Sequence, residues 1–383
     1  MRITCVLGPY LPVPPALGGA VERVWQNLCS QFARKGHDVT LISRQFSNYP
    51  HYELHEGVRY LRIPSTDAPS SKVFYRICDA VYATRVACML PRSDITITNS
   101  VSLPLLLPRS RAGSIYVSVA RFPKGQMGIY RRAHRLQAVS RAVADAIRSQ
   151  SPATSDRVRV IPNALSSTFS NLSARANAVR TQEILYVGRI AREKGLDILI
   201  RAFLKLPNQS EWTLTLIGPD AAAAGGDGPN FLNELKDICG YERKNIRFEP
   251  SIFDEQTLAA RISSASIFVY PSVAERGESF GLAPLEAMAC GCAVVVSNLA
   301  CFRDFVVEGS NALVFDHRDP TGAPLARVLC TLIDQPELRA QLSASAVKTA
   351  RDFHSNHVAD LFLRDFDELI SSRSIAPISG CQI

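Results

Sequence analysis

The stretch Ile267–Val296, IFVYPSVAERGESFGLAPLEAMACGCAVVV, joins two apolar runs through a polar loop and a short amphipathic segment. Residues 267–270 are continuously apolar and predict a buried strand, as do residues 293–296 at the other end. Between them, residues 283–290 predict a helix that Gly291 ends. A strand, a helix and a second strand in this order indicate a parallel sheet covered by helices.

Two glutamates eight positions apart lie around this helix, Glu278 in the preceding loop and Glu286 in its early turns. Both carboxylates can reach a ligand at the helix N-terminus, where N–H groups and the helix dipole favour an anion such as a diphosphate. A carboxylate can only accept hydrogen bonds, so its place beside an anion indicates hydroxyl groups on the same ligand. A diphosphate with hydroxyl groups describes a nucleotide-sugar.

The same residues carry a resemblance to a known family. Glu278-Ser279-Phe280-Gly281, followed by Glu286-Ala287-Met288-Ala289-Cys290-Gly291, resembles the signature of the retaining glycosyltransferases of family 4. The resemblance implies the GT-B fold, an α/β architecture of two doubly wound Rossmann-like domains that face each other across a cleft. It also implies that Glu286 binds the ribose hydroxyls and that Glu278 contacts the sugar. The other donor-binding residues that it implies here are Ser279, Phe280, Gly281 and Leu282.

Two cations follow the predicted strand 184–187. Val187-Gly188-Arg189 and Lys194-Gly195 resemble the family's V-G-R…K-G, whose arginine and lysine hold the donor diphosphate. Each charge-assisted contact to a phosphate contributes about 1.5–3 kcal/mol. Since stabilisation of the leaving group is usually the largest catalytic effect, the resemblance implies a catalytic set of Glu278, Arg189 and Lys194. These cations and the helix N-terminus supply the countercharge of a metal, so we predict neither a metal nor another cofactor.

A glycine pair, Gly18-Gly19, lies between the first predicted strand and the first predicted helix. Glycine lets a backbone approach a ligand closely, although an ordinary turn explains a bare pair about as well. The pair matches the one that family members carry close to the donor phosphates and the acceptor. We therefore count it among the donor-binding residues.

The densest basic patch follows a predicted strand that ends near Val119. It begins with Arg121 and Lys124, our candidates for acceptor binding, and a solvated basic face explains such a run about as well. It continues with Arg131, Arg132, His134 and Arg135. Many family members place a histidine directly after this strand, whereas Val119-Ala120-Arg121 stands here.

The length of 383 residues allows two α/β domains, each with its own core. Alternating predicted strands and helices indicate a parallel doubly wound sheet in the first half. Ile161-Pro162-Asn163 resembles the family's I-P-N before the interdomain linker. The predicted organisation is an acceptor-binding domain over 1–165, a linker over 166–182, a nucleotide-sugar domain over 183–352, and a helix with a tail over 353–383 that crosses back to the first domain.

The net charge of +8 is unevenly spread. Residues 1–176 contain 23 Lys and Arg against 9 Asp and Glu, whereas the remainder contains 20 against 26. A basic first half suits an anionic membrane surface or a phosphate-bearing acceptor, and no nucleic-acid recognition motif accompanies it. The ten cysteines lack paired spacing, so we expect reduced core residues and a cytoplasmic protein, peripheral at the inner face of the cytoplasmic membrane.

The predicted function is transfer of a sugar from a nucleotide diphospho-sugar to a hydroxyl of a glycan or lipid-linked acceptor, in cell-surface polysaccharide or glycolipid synthesis. Three alternatives stay open. A GT-B relative with other chemistry would be a phosphorylase or an epimerase, and a non-catalytic sensor would bind a nucleotide-sugar without turnover. A nicotinamide-dependent oxidoreductase would share the sheets, but the chain lacks its G-x-G-x-x-G fingerprint.

Overall fold

The computed structural model describes residues 1–16, 18–69, 71–171, 180–207 and 211–375. The chain divides into two compact units. The first unit combines Met1–Ala164 with the segment from Ser355, and the second is Leu165–His354. Residues 172–179 of the predicted linker, and the predicted tail beyond residue 375, lie outside the described residues.

The first unit is built on one sheet. Its strands are β1 (Arg2–Val6), β2 (Asp38–Arg44), β3 (Tyr52–His55), β4 (Val58–Ile63), β5 (Ile95–Thr98), β6 (Ser114–Val119), β7 (Arg135–Ala138) and β8 (Val158–Val160). They lie in the order β3-β4-β2-β1-β5-β6-β7-β8. The helices are α1 (Ala20–Arg34), α2 (Lys72–Met89), α3 (Leu103–Leu106), α4 (Arg109–Ala112) and α5 (Arg141–Gln150).

The prediction of a parallel sheet needs one correction, at its edge. Strand β3, which sequence analysis did not predict, pairs antiparallel with β4, so that Tyr52 lies opposite Leu61. Its four residues, Tyr-Glu-Leu-His, are mostly exposed and contain no apolar run. Tyr52 and Leu54 alternate with polar residues, but four residues are the shortest length at which such an alternation indicates a strand, and neither apolar side chain is buried.

The second unit contains a parallel six-stranded sheet. Its strands are β9 (Thr181–Val187), β10 (Thr213–Ile217), β11 (Ile246–Glu249), β12 (Ala265–Tyr270), β13 (Ala293–Ser297) and β14 (Leu313–Phe315), in the order β11-β10-β9-β12-β13-β14. The helices are α6 (Ser167–Ser170), α7 (Leu196–Phe203), α8 (Gly228–Cys239), α9 (Glu255–Ser264), α10 (Leu282–Ala289), α11 (Ala323–Asp334) and α12 (Pro336–Arg351). Two units with sheets of this kind confirm the predicted α/β fold class.

Helix α8 is a second element that sequence analysis did not select. The stretch that leads into it, residues 221–229, is rich in alanine and glycine. In the structure a 3-10 turn, Ala222–Ala224, leads directly into α8. Phe231 and Leu235 of α8 are buried one helical turn apart. The run of alanine and glycine before them masked this short apolar stripe.

Helix α13 (Ser355–Ile375) completes the first unit. Its Phe362 and Phe366 pack against Phe32 of α1 and Tyr116 of β6. The Tyr116 hydroxyl donates a hydrogen bond of 2.8 Å to Asp365. The C-terminal helix therefore belongs to the same core as the first sheet.

The strands of the central stretch are buried along almost their whole length. Every residue of β13 is buried, and β12 exposes only part of Ser266. Such continuous burial is typical of strands inside a parallel sheet that helices cover on both faces. None of the helices in the described part of the chain has the length and apolar character needed to span a bilayer.

Candidate functional site

The order of strands in the second sheet places a crevice at β9 and β12. From β9 the chain proceeds outward through β10 and β11, whereas β12 starts the opposite half with β13 and β14. In open α/β sheets ligands bind outside the carboxyl ends of the strands, where the strand order reverses. The loops that follow β9 and β12, together with the first two turns of α10, carry the predicted donor-binding residues of this unit.

Lys194 and Glu278 form a buried ion pair at this point. The Lys194 Nζ lies 2.7 Å from Glu278 Oε2, and only 6% and 9% of the two residues' surfaces are exposed. The loop after β9 supplies the lysine and the loop after β12 supplies the glutamate. The Glu193 carbonyl accepts a hydrogen bond from the Val273 N–H at 3.0 Å, which joins the two loops beside the pair. Two residues predicted to contact one ligand thus contact each other.

Two tyrosines that sequence analysis did not select lie beside this pair. The Tyr270 ring centroid is 5.3 Å from the Lys194 Nζ, and Tyr186 stacks on Tyr270 with centroids 5.8 Å apart. Burial, and then the charge of Glu278, raise the pKa of both tyrosines well above the usual range, so they stay neutral. Tyr186 is the second-last residue of β9 and Tyr270 is the last residue of β12. Their positions at the carboxyl ends of two predicted strands could have identified them from the sequence as residues of the site.

Hydrogen bonds orient the side chain of Arg189, which lies in the loop after β9. Its Nη1 donates to the Gly225 carbonyl at 2.7 Å, and its Nη2 donates to Glu193 Oε1 at 2.5 Å. The Arg189 carbonyl accepts a hydrogen bond from the Tyr186 hydroxyl at 2.8 Å. The Arg189 side chain is 43% exposed, so a ligand can reach the oriented guanidinium.

The N-terminus of α10 lies at the carboxyl ends of the strands, where the crevice is. Gly281 precedes the helix with φ +92° and has no side chain with which to cap it. Glu286 lies in the second turn and is buried. The Phe280 ring is buried between Phe305 and Phe353, so the predicted contact of this residue with a donor would have to be made by its backbone.

Gly281→Ala should destabilise the second unit. A Cβ at this position would lie 2.4 Å from Cε1 of Phe302, and a side chain in this left-handed region costs about 1–3 kcal/mol before any clash. We expect the free energy of unfolding to fall by at least that amount in chemical denaturation. Gly309→Ala is the matched control, since Gly309 also has a positive φ but no atom within 4 Å of its Cβ position. Equal losses in both variants would contradict the steric argument.

In the first unit, the predicted glycine pair lies against a buried carboxylate. Gly18 and Gly19 have φ of +78° and +118°, and a Cβ on Gly19 would lie 2.4 Å from Glu22 Oε2. Burial raises the pKa of Glu22, an effect that a backbone hydrogen bond and the charge of Arg121 partly offset. Arg121 is therefore close enough to Glu22 for its charge to act on this carboxylate. Glu22, an acidic residue in the first turn of α1, was not selected from the sequence.

The rest of the predicted basic patch divides into exposed and structural residues. Lys124, like Arg121, is exposed. Arg132 donates to the carbonyls of Leu105 and Leu107, and Arg135 pairs with Asp365 at 2.9 Å. The His134 Nδ1 accepts a hydrogen bond of 3.0 Å from the Ile115 N–H. The latter part of the patch therefore supports the fold of the first unit.

The candidate residues of the second unit include no metal cluster. Among the described residues no group of three or more His, Cys, Asp and Glu side chains could hold a metal ion. Cys290 and Cys292, the closest pair of cysteines in the sequence, are buried, and burial raises the pKa of Cys292 to about 11.

Family models match both units of the chain. The model described as Glycosyl transferases group 1 matches residues 172–349, and the one described as Glycosyltransferase Family 4 matches residues 17–168. The chain is 33% identical over 198 residues to the D-inositol 3-phosphate glycosyltransferase of Frankia alni, an alignment that covers 50% of this chain and 47% of that protein. It is 28% identical over 263 residues to the protein of the same name from Paenarthrobacter aurescens, covering 66% and 61%. The chain spans about half the length of the curated relatives it matches.

Solved structures share the fold over nearly the whole chain. Sucrose-phosphate synthase from Thermosynechococcus elongatus has a TM-score of 0.76 and 19% identity, covering 97% of this chain and 100% of that one. Anabaena HepE in complex with UDP and glucose has a TM-score of 0.72 and 16% identity, covering 96% and 100%. At these identities the likeness concerns the fold alone.

Proposed function

Because the chain belongs to the glycosyltransferases of family 4, as the sequence resemblance predicted, we propose that it transfers a sugar from a nucleotide diphospho-sugar to an acceptor hydroxyl with retention of anomeric configuration. The observation that carries the proposal is the buried pair of Lys194 and Glu278 beside the N-terminus of α10. A cation, a carboxylate and a helix N-terminus at one crevice suit a ligand that has both a diphosphate and hydroxyl groups.

The proposed donor contacts follow from the chemistry of each group. Arg189, Lys194 and the N–H groups at Gly281 and Leu282 bind the diphosphate, and Glu286 accepts hydrogen bonds from the ribose. In the structure Glu278 neutralises Lys194. We propose that a bound diphosphate shares this ammonium group, which leaves the Glu278 carboxylate beside the sugar.

The chemical step that we propose needs no protein nucleophile. The bond from the anomeric carbon to the diphosphate breaks, and the acceptor oxygen attacks from the same face. Its proton passes to the departing phosphate oxygen. Arg189, Lys194 and the helix N-terminus stabilise the negative charge that develops on the leaving group, usually the largest contribution to such catalysis.

For the acceptor we propose a glycan or lipid-linked molecule that carries a phosphate group. The exposed cations Arg121 and Lys124 in the first unit support an anionic acceptor, and the curated relatives are named for inositol phosphate. We also propose that the protein acts in the cytoplasm, at the anionic inner face of the membrane. The basic balance of residues 1–176 supports that location.

The experiment that tests the donor proposal is a thermal-shift screen with UDP, GDP, dTDP and ADP and their sugars, followed by donor-hydrolysis assays. We expect at least one nucleotide to stabilise the protein, and Arg189→Gln to reduce the shift. Arg327→Gln, an exposed arginine on α11, is the matched control. A shift with NAD(P)H alone would favour an oxidoreductase. Binding without turnover would favour a sensor, and turnover that requires inorganic phosphate would favour a phosphorylase.

Donor binding and slow donor hydrolysis should survive EDTA. Arg189 and Lys194 supply the countercharge that a divalent cation would otherwise contribute. Calorimetry of nucleotide binding with and without EDTA measures this directly. Affinity that disappears in EDTA and returns with magnesium or manganese would contradict the prediction.

A further inference from the structure

Exposed apolar side chains are concentrated on one part of the first unit. Among the described residues, fourteen large hydrophobic residues are exposed, and nine of them lie on α2, on α3 or in the turn Met127–Ile129. The nine are Val73, Phe74, Tyr75, Ile77, Val81, Met89, Leu105, Leu106 and Ile129. Such a concentration marks an interaction surface, whereas scattered exposed residues do not.

Helix α2 is apolar on two opposite faces. Its buried residues, Tyr82, Ala83 and Val86 with the polar Asp79, face the sheet of the first unit. Val73, Phe74, Ile77 and Val81 lie within an arc of about 100° on the opposite side, as 3.6 residues per turn requires. Among the described residues of the first unit this second stripe is exposed, with Phe74 at 62%.

Hydrogen bonds join the buried face of helix α2 to α3, and α3 to the segment that contains the remaining exposed apolar residue. Asp79 of α2 accepts hydrogen bonds of 2.9 Å from the Ser100 hydroxyl and the Ser102 N–H, just before α3. Arg132 donates to the Leu105 carbonyl at 2.7 Å, which ties the segment containing Ile129 to α3. We call Val73, Phe74, Ile77, Val81, Leu105, Leu106 and Ile129 the α2–α3 surface.

The exposed charged side chains of α2 all carry a positive charge. Residues 95–144 contain eight Lys and Arg and no Asp or Glu. Arg76 and Arg85 of α2 are exposed on the two sides of the apolar stripe, and Lys72 is exposed at the first turn. The nearest acid on the helix, Asp79, is buried. Apolar side chains flanked by cations match the boundary between anionic headgroups and acyl chains.

We infer that the α2–α3 surface docks on an anionic lipid bilayer, with the apolar stripe of α2 in the headgroup boundary and Lys72, Arg76 and Arg85 against lipid phosphates. The inference rests on the membrane association proposed above and adds the surface that carries it. Apolar burial and attraction to anionic lipid both contribute to such binding, and salt weakens only the second.

Flotation with vesicles tests this surface in the full chain. The wild type should bind vesicles that contain phosphatidylglycerol, more weakly at high salt, and should bind pure phosphatidylcholine poorly. Phe74→Ser combined with Ile77→Ser should reduce the partition coefficient by about tenfold or more, because two large side chains no longer enter the bilayer. Phe253→Ser, which removes an equally exposed phenylalanine from the second unit, is the matched control and should bind like wild type.

A second variant separates charge from apolar burial. Lys72→Gln combined with Arg76→Gln should weaken binding at low salt, and the difference from wild type should shrink at high salt. Undiminished binding of both double variants would overturn the α2–α3 surface while leaving membrane association intact. If the wild type does not bind anionic vesicles but binds polyglutamate beads, the proposal that this surface binds lipid is wrong. Nucleotide calorimetry on the same samples tests the transferase proposal independently.

Discussion

Glu278→Gln is expected to lower kcat by well over tenfold, about 1.4 kcal/mol or more of activation free energy, while nucleotide affinity changes little. The substitution keeps the shape of the side chain and removes its charge. In the proposed mechanism that charge lies beside the sugar, where positive charge develops as the glycosidic bond breaks. Its main effect therefore belongs to the transition state, and kcat should report it.

Radiolabelled sugar transfer and nucleotide calorimetry measure the two quantities separately. Glu275→Gln is the matched control, since Glu275 lies in the same loop with its side chain 57% exposed, paired with Arg318 at the surface. Glu286→Ala should behave differently and raise the donor KM more than it lowers kcat, because a ribose contact is the same in ground and transition states. Normal turnover in Glu278→Gln together with normal nucleotide binding in Glu286→Ala would contradict the donor-site assignment.

Lys194→Met is expected to destabilise the second unit by about 3–5 kcal/mol, because it leaves the Glu278 carboxylate buried without its cation. The double variant Lys194→Met with Glu278→Gln should recover most of that loss, since no unpaired charge remains in the buried site. The two residues are in contact, so their effects should not add. Both variants should also lose affinity for the nucleotide diphosphate, which needs the ammonium group.

The coupling energy between Lys194 and Glu278 can be measured by chemical denaturation of the wild type, the two single variants and the double variant. Lys348→Met, an exposed lysine on α12, is the matched control and should change stability little. A double variant as unstable as Lys194→Met would show that the lysine stabilises the fold by packing, for example on Tyr270, and not by neutralising Glu278.

Both predictions depend on residues that sequence analysis selected, but it did not predict all of the contacts between them. Glu278, Glu286, Arg189 and Lys194 were selected because their spacing relative to predicted strands resembles a family signature. The same reasoning placed Phe280 at the ligand, whereas its ring belongs to the core. A motif shows which residues recur together, but it does not show which of them face the ligand and which support the backbone.

The sequence by itself determined the α/β class, the position of most strands, and the family. Continuous apolar runs such as those in β12 and β13 are local signals, and the burial of each run follows from the run itself. Strand β3 was missed because its alternating pattern lasts only four residues, and helix α8 because a run of alanine and glycine precedes its apolar stripe.

Only the tertiary structure decided which residues meet. Lys194 and Glu278 are 84 positions apart and touch because β9 and β12 are neighbours at the reversal of strand order. Tyr186 and Tyr270 stack for the same reason. Hydrophobic periodicity indicates which residues of one element are buried. It does not indicate which strands are neighbours in the sheet. The pairing of the two charges that we expect to dominate both stability and catalysis was therefore decided by the order of the sheet.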